Sequence, residues 1–477
     1  MELGAHTSLD AFDRTLRGTT LEVSETVYQR LRDARKIVDA AALGKDPVYG
    51  LNTGLGANLS HRIKPADIHA FQEQLIAGRA VAVGACCTPQ TGKAVLLARL
   101  IGAVRGHSGI SLPLFEHLCA VFRAGLSPAV PRYGSIGASD LTQNATWAMA
   151  VLGQGQIWDG AAWRDAGDAL AQAGLDPPPL QPKDAMALIN HSAFSVAQSA
   201  VALTEVRRGL GMCQHAAVLS FDGFGANRQI FAPDINELRQ SPGQAQMAAW
   251  FAEQVSDETK PSRVQDALSF RTLAPVMGAA QDALDRAVAV WEAELNGSSD
   301  NPAVLEGDAM CSTPNFHAPA LALALEQVSL AMAMVAQGSV MRLQRLMNPD
   351  LTGLPRYLTP VGGASAGFVP LQKTAVALLG DIRRHAMPVA FDPAPVSDAV
   401  EDMAPMTAQA AEKLNAQMEP LQLLAGAEAV VAAQARDLRG LNATALHMAL
   451  REKVPLLHED RALGGDVDAA RAVLAGL

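Results

Sequence analysis

A chain of 477 residues with 49% hydrophobic and only 18% charged residues is globular, with a large buried fraction, and long enough for two or three units or one large helical assembly. A net charge of −10, with no run of Lys and Arg, argues against general nucleic-acid binding. The five cysteines (Cys86, Cys87, Cys119, Cys213, Cys311) are odd in number and lack metal-type pairing, so they read as reduced thiols of a cytoplasmic protein, and no metal is expected.

The N-terminus lacks a basic stretch followed by an apolar one, so a secretory signal is not expected. Over the first ~45 residues, short strand-like pieces surround one polar helix at 24–43, with Ser24 as N-cap and Gly44 as stop. Residues 48–60 are rich in Gly and Asn and read as a loop. Helices are predicted at 66–80, 90–105 and 112–124. Apolar stretches such as 94–110 are broken by Arg99 and Arg105, and none is expected to reach the ~20 residues of a membrane span. A Pro- and Gly-rich passage at 127–137 leads into a helix at 140–151, and 155–163 is hairpin-like.

Beyond Pro182 long Ala-rich helical patterns take over, at 195–221, 274–295, 318–346, 367–384 and 402–438. Small side chains on such helices allow close approach of neighbours. The expected fold is therefore mainly α: a smaller, loop-rich N-terminal domain over 1–193 and a long-helix bundle over 194–477.

One loop carries more chemical information than the rest. Gly137-Ala138-Ser139-Asp140-Leu141 resembles the cofactor loop of the aromatic amino acid lyases (histidine, phenylalanine and tyrosine ammonia-lyases), which read Gly-Ala-Ser-Gly-Asp-Leu. Further blocks follow the same family in order. They are 48–56 with Tyr49, 105–109, 187–190 ending at Asn190, 264–271 with Gln265 and Arg271, 299–302, 315–318 with Phe316, and Glu401-Asp402. Any one block is a weak signal; collinear blocks over nearly the whole chain are a strong one for fold and ancestry, and a weaker one for the reaction.

The resemblance implies residue roles. Tyr49 would remove the substrate's β-proton, a task that needs an aligned, partly desolvated base. Arg271 would grip the substrate carboxylate through paired hydrogen bonds. Asn190 and Gln265 match positions that support the substrate or the cofactor loop. Glu401 matches an acid that meets the imidazole in the histidine branch of the family. The resemblance also implies a homotetramer whose active sites are shared among subunits. Each residue has a plainer reading as well: a Tyr at a loop edge, a structural ion pair for Arg271, buried amides, and for Glu401 a charge favoured by a helix N-terminus.

Several positions depart from the family. Gly78-Arg79 stands where the family has Ser-His, Leu268 where it has a second Tyr, and His191-Ser192 where it has Gly-Thr. Lys373 is an extra cation in an uncharged run, expected to be buried in the bundle and to face an anionic substrate atom, the plainer reading being a Lys reaching out from the helix edge. The main departure is the cofactor loop, degenerate at Ala138, Ser139 and Asp140. In the family, the amide nitrogen of the Gly after Ser closes a methylidene-imidazolone ring; here Asp140 follows Ser139 directly. The expectation is an enzyme with no cofactor.

Without that electrophile an amine is a poor leaving group, whereas a quaternary ammonium departs as a neutral amine. The expected substrate is thus an imidazole betaine losing trimethylamine. Lys373 and Arg79 favour one with an anionic sulfur, ergothioneine, giving thiourocanate. Phe316 and Trp147 are candidate walls for the N-methyl groups. Hercynine, a histidine or aromatic amino acid ammonia-lyase or aminomutase reaction, and an inactive binding scaffold are the alternatives.

Overall fold

The computed structural model describes residues 1–54, 62–64, 67–258, 263–307, 309–389 and 394–477. The part of the predicted 48–60 loop beyond Gly54 lies outside them. The chain is mainly helical and divides into two compact units. The first comprises Met1–Ala202, Val288–Leu323 and Pro388–Glu412; the second comprises Leu203–Ala287, Ala324–Met387 and Lys413–Leu477. Where the sequence suggested one boundary at 193/194, each unit gathers three separate stretches of chain. Hydrophobic periodicity marks helices but does not say which distant ones pack together.

Most predicted helices stand where the spacing put them, among them Glu25–Leu43, Pro89–Ala103, Leu141–Val151, Leu273–Asn296 and Pro319–Leu346. Gly44 ends the first of these, but Ser24 at its N-cap makes no side-chain capping bond. The shorter helices Leu9–Leu16, Pro242–Gln254 and Gly464–Ala475 were not foreseen. The expected hairpin at 155–163 is real and continues to Asp165, with Trp158 paired to Trp163.

In the first unit, Pro89–Ala103 is buried nearly all round. Its Arg99, which interrupts the apolar run, pairs with Asp300 at 2.9 Å with both side chains inaccessible to solvent. A buried charge persists only with such a partner. In the second unit, Glu428 on Thr407–Arg439 accepts hydrogen bonds from Arg342 (Nε, 2.6 Å) and Ser220 (2.7 Å). Close packing there rests on small residues: a Cβ on Gly223 would lie 2.9 Å from the Ala435 methyl.

The expectation that no stretch reaches membrane-spanning length is corrected. Asp184–Phe224 and Pro319–Leu346 both qualify by length and composition. The apolar window of the first is 94% buried, which makes it core. That of the second is only 56% buried. Its outer side shows Gln327, Leu330, Met334 and Gln337 in a heptad-like spacing.

Candidate active site

The degenerate loop is held by polar contacts within the first unit. Gly137 has φ +81°, and a Cβ there would lie 2.9 Å from the Thr407 nitrogen, so a side chain is excluded. Ser139 and Asp140 follow with φ of 69° and 50°. Two successive left-handed non-glycine residues cost roughly 1–2 kcal/mol each. Hydrogen bonds hold them there. The Asp140 carboxylate accepts from the Ser135 hydroxyl (2.5 Å), the Ser195 N–H (2.7 Å) and the Ser195 hydroxyl (2.8 Å). Burial raises the Asp140 pKa, and these three bonds pull it part of the way back. Asp140 also opens the helix Leu141–Val151.

Other segments grip the loop from outside. The Met406 N–H donates to the Ile136 carbonyl at 3.0 Å, and the Gln409 amide donates to the Ser135 carbonyl. Ala138 pairs with His317 in an isolated antiparallel bridge, which brings the 315–318 block, with half-buried Phe316, against the loop. Trp147 is fully buried, which removes it as a wall open to substrate.

Asn190 is buried beside this loop. Its Nδ2 donates to the Asn301 carbonyl at 2.7 Å, the Asn301 N–H donates to the Asn190 backbone carbonyl at 3.3 Å, and its Oδ1 has no partner among the described residues. A buried, unpaired amide oxygen is costly unless something else satisfies it. The 187–190 and 299–302 blocks, far apart in sequence, thus meet at this residue.

Tyr49 lies half-buried in a turn built by Asn52, whose Oδ1 accepts from the Val48 N–H at 2.8 Å and whose Nδ2 donates to the Asp46 carbonyl at 2.9 Å. Arg79 is its electrostatic neighbour: burial lowers the guanidinium pKa, and the Tyr49 phenol is the group that pushes it back up. Arg79 also donates to the Leu75 carbonyl at 3.3 Å. The cation expected near substrate sulfur therefore stands next to the expected base.

Glu401 lies in a short turn closed by a bridge to Val396, and the Ser397 hydroxyl donates to its Oε1 at 2.9 Å. The long helix begins only at Thr407, so Glu401 does not open it and the helix dipole does not explain it.

The remaining predicted residues belong to the second unit. Arg271 donates to Gln265 Oε1 at 2.7 Å; both are exposed, and Arg271 has no ion pair among the described residues. Lys373 is exposed on the helix Val369–His385, which corrects the expectation of burial: the uncharged run around it includes an outward face with Val376 51% exposed. Ser135, Asn144, Ser195 and Gln409 were not singled out from the sequence. Polar residues at these separations carry no local signal, and only the fold brings them to the loop.

The chain matches the sequence model of the family described as aromatic amino acid lyase over residues 7–455. It is 34% identical over 468 residues to the histidine ammonia-lyase of Anaeromyxobacter sp. (strain K), covering 94% of this chain and 92% of that one. It is 35% identical to the histidine ammonia-lyase of Bradyrhizobium diazoefficiens, covering 98% and 93%. Among solved structures it superposes on Treponema denticola ergothionase in complex with desmethyl-ergothioneine sulfonic acid, with a TM-score of 0.95 at 27% identity, covering 100% and 99%. Histidine ammonia-lyase from Trypanosoma cruzi gives a TM-score of 0.91 at 29% identity, covering 100% and 94%. The loop with its missing glycine, the buried amide of Asn190 and the cation beside Tyr49 are thus local departures and details within a shared scaffold: the chain belongs to the aromatic amino acid lyase family and is a carbon–nitrogen lyase.

Proposed function

We propose that this lyase eliminates trimethylamine from an imidazole betaine, ergothioneine, to give thiourocanate, without a methylidene-imidazolone group. The observation that carries the reading is the Ala138-Ser139-Asp140 sequence. Ring closure needs the nitrogen after Ser to attack the Ala carbonyl, a contact that glycine permits. Here that nitrogen belongs to Asp140, whose carboxylate is held by Ser135 and Ser195. The residues present therefore do not fit the group, and no step is routed through it.

The elimination balances without it. Tyr49, as phenolate, takes the Cβ proton; the C–H pair becomes the Cα=Cβ bond; the Cα–N bond breaks and its pair leaves on neutral trimethylamine. Arg79 beside Tyr49 favours the phenolate. Arg271, whose guanidinium is engaged by Gln265 alone among the described residues, suits a carboxylate. Glu401 accepts from an imidazole N–H, and exposed Lys373 offers a cation to the sulfur. Phe316 serves as an aromatic wall for the methyl groups. The assembly is a homotetramer in the cytoplasm, with sites drawing on more than one copy. The exposed Leu330 and Met334 on the outer side of Pro319–Leu346 support self-association.

The identity with histidine ammonia-lyases favours a second reading, release of ammonia from histidine. Incubation with ergothioneine, hercynine and histidine separates the two. Trimethylamine and thiourocanate from ergothioneine are expected. Trimethylamine from hercynine alone would move the substrate to the sulfur-free betaine, and ammonia from histidine would overturn the proposal.

A further inference from the structure

One departure from the family is not used by this chemistry. His191 stands where the family has glycine, is fully buried, and lies beside Asn190. Its hydrogen bonds define its protonation. Nε2 is 3.0 Å from the Leu188 carbonyl, which can only accept, so Nε2 carries the proton. Nδ1 is 3.2 Å from the Ala193 N–H, which can only donate, so Nδ1 is the acceptor. The ring is one fixed neutral tautomer with both nitrogens engaged.

The Nδ1 atom also faces Asn144 Nδ2 at 3.3 Å. Asn144 is completely buried on Leu141–Val151, and its Nδ2 reaches the Ser139 carbonyl (3.1 Å), the Ile189 carbonyl (3.2 Å) and the His191 carbonyl (2.8 Å). A single amide thus ties the degenerate loop to the 189–191 turn that carries Asn190. His191 meets that amide twice, through its carbonyl at 2.8 Å and its ring Nδ1 at 3.3 Å. Asn144 Oδ1 has no partner among the described residues, so the amide is held from its Nδ2 side alone, and loss of one Nδ2 partner loosens the others.

We propose that His191 is a positioning residue: its neutral imidazole orients Asn144, which locks the Ala138-Ser139-Asp140 turn and Asn190 into one rigid piece, a noncovalent substitute for the rigidity of a closed ring. This rests on the uncyclised loop proposed above. The left-handed pair at Ser139 and Asp140 is held at Asp140 by Ser135 and Ser195, and Asn144 adds a hold on the Ser139 carbonyl.

Three variants test the assignment. His191→Phe keeps a ring of similar volume and removes both nitrogens; His191→Asn keeps a polar group near the place of Nδ1; Asn144→Ala cuts the link from its other end. Three quantities are read: amide hydrogen exchange over 138–141, which needs no substrate, and kcat and KM for the betaine. His191→Phe and Asn144→Ala are expected to speed exchange in that segment and lower kcat roughly 10- to 100-fold with KM little changed, as for a misplaced site. His191→Asn is expected to restore most of both. Wild-type exchange and kcat in folded His191→Phe would overturn the proposal, as would unchanged exchange in Asn144→Ala. If His191→Phe does not fold, Asn144→Ala decides. A closed ring, seen as the loss of two waters in the intact mass of the wild-type protein, would instead remove the reading on which it rests, while leaving the exchange result interpretable.

Discussion

Tyr49 carries the heaviest chemical load of any single side chain in the proposed elimination. Replacing it with Phe keeps the ring and removes the oxygen that takes the proton. Turnover should fall by roughly 100- to 10,000-fold, the usual worth of a positioned general base, while ligand binding measured by calorimetry persists. An unchanged rate would reassign the base. Asp300 tests the core in a similar way. Asp300→Ala leaves Arg99 buried without its anion, and urea unfolding should show a loss of about 3–5 kcal/mol. His191 makes a prediction about pH. Burial, helped by the Arg99 cation, lowers its pKa from 6.5 to about 3. Between those values the unfolded chain holds a proton that the folded chain refuses, so stability falls as pH drops through that window. The His191 contribution is therefore complete above about 6.5 and gone near 3, and His191→Phe should show a shallower acid dependence of its urea midpoint than the wild-type protein.

At the scale of the element, the 134–140 loop shows what sequence could and could not reveal. The missing glycine was legible at once, because a single absent residue type removes a specific bond-forming geometry. The partners that hold the shortened loop were not. Ser195 lies 55 residues from Asp140, and Gln409 lies 274 from Ser135, so no local pattern links them. The same contrast appears in Glu401 and Lys373. Each was placed on a helix from hydrophobic spacing; the spacing put the start of the last long helix too early, and it could not tell an inward helix face from an outward one when both are apolar. The loop's proposed loss of function is reversible in principle. Inserting a glycine between Ser139 and Asp140 returns the backbone freedom that cyclisation needs. The expected products of that insertion are a mass lower by two waters and a borohydride-sensitive ultraviolet band. If the inserted loop stays linear, the block to ring closure lies elsewhere than in the missing residue.

For the molecule as a whole, helix content and approximate bounds followed from Ala-rich periodicity, whereas the division into two discontinuous units did not, because it depends on which distant helices share a core. The exposed side of Pro319–Leu346 bears on assembly. Leu330 and Met334 are 53% and 56% exposed on this long helix. Leu330 and Met334, flanked by Gln327 and Gln337 at coiled-coil-like spacing, are the side chains through which the proposed self-association would run. Charges placed there would oppose burial without touching the interior, since both side chains already face outward. Leu330→Glu combined with Met334→Lys should therefore leave the helical circular dichroism unchanged while shifting the mass seen by light scattering from the proposed tetramer to smaller species. Because the proposed sites draw residues from more than one copy, turnover should fall in step with the tetramer fraction and recover at higher protein concentration. A dissociated variant with full activity per chain would show that each copy carries a complete site of its own.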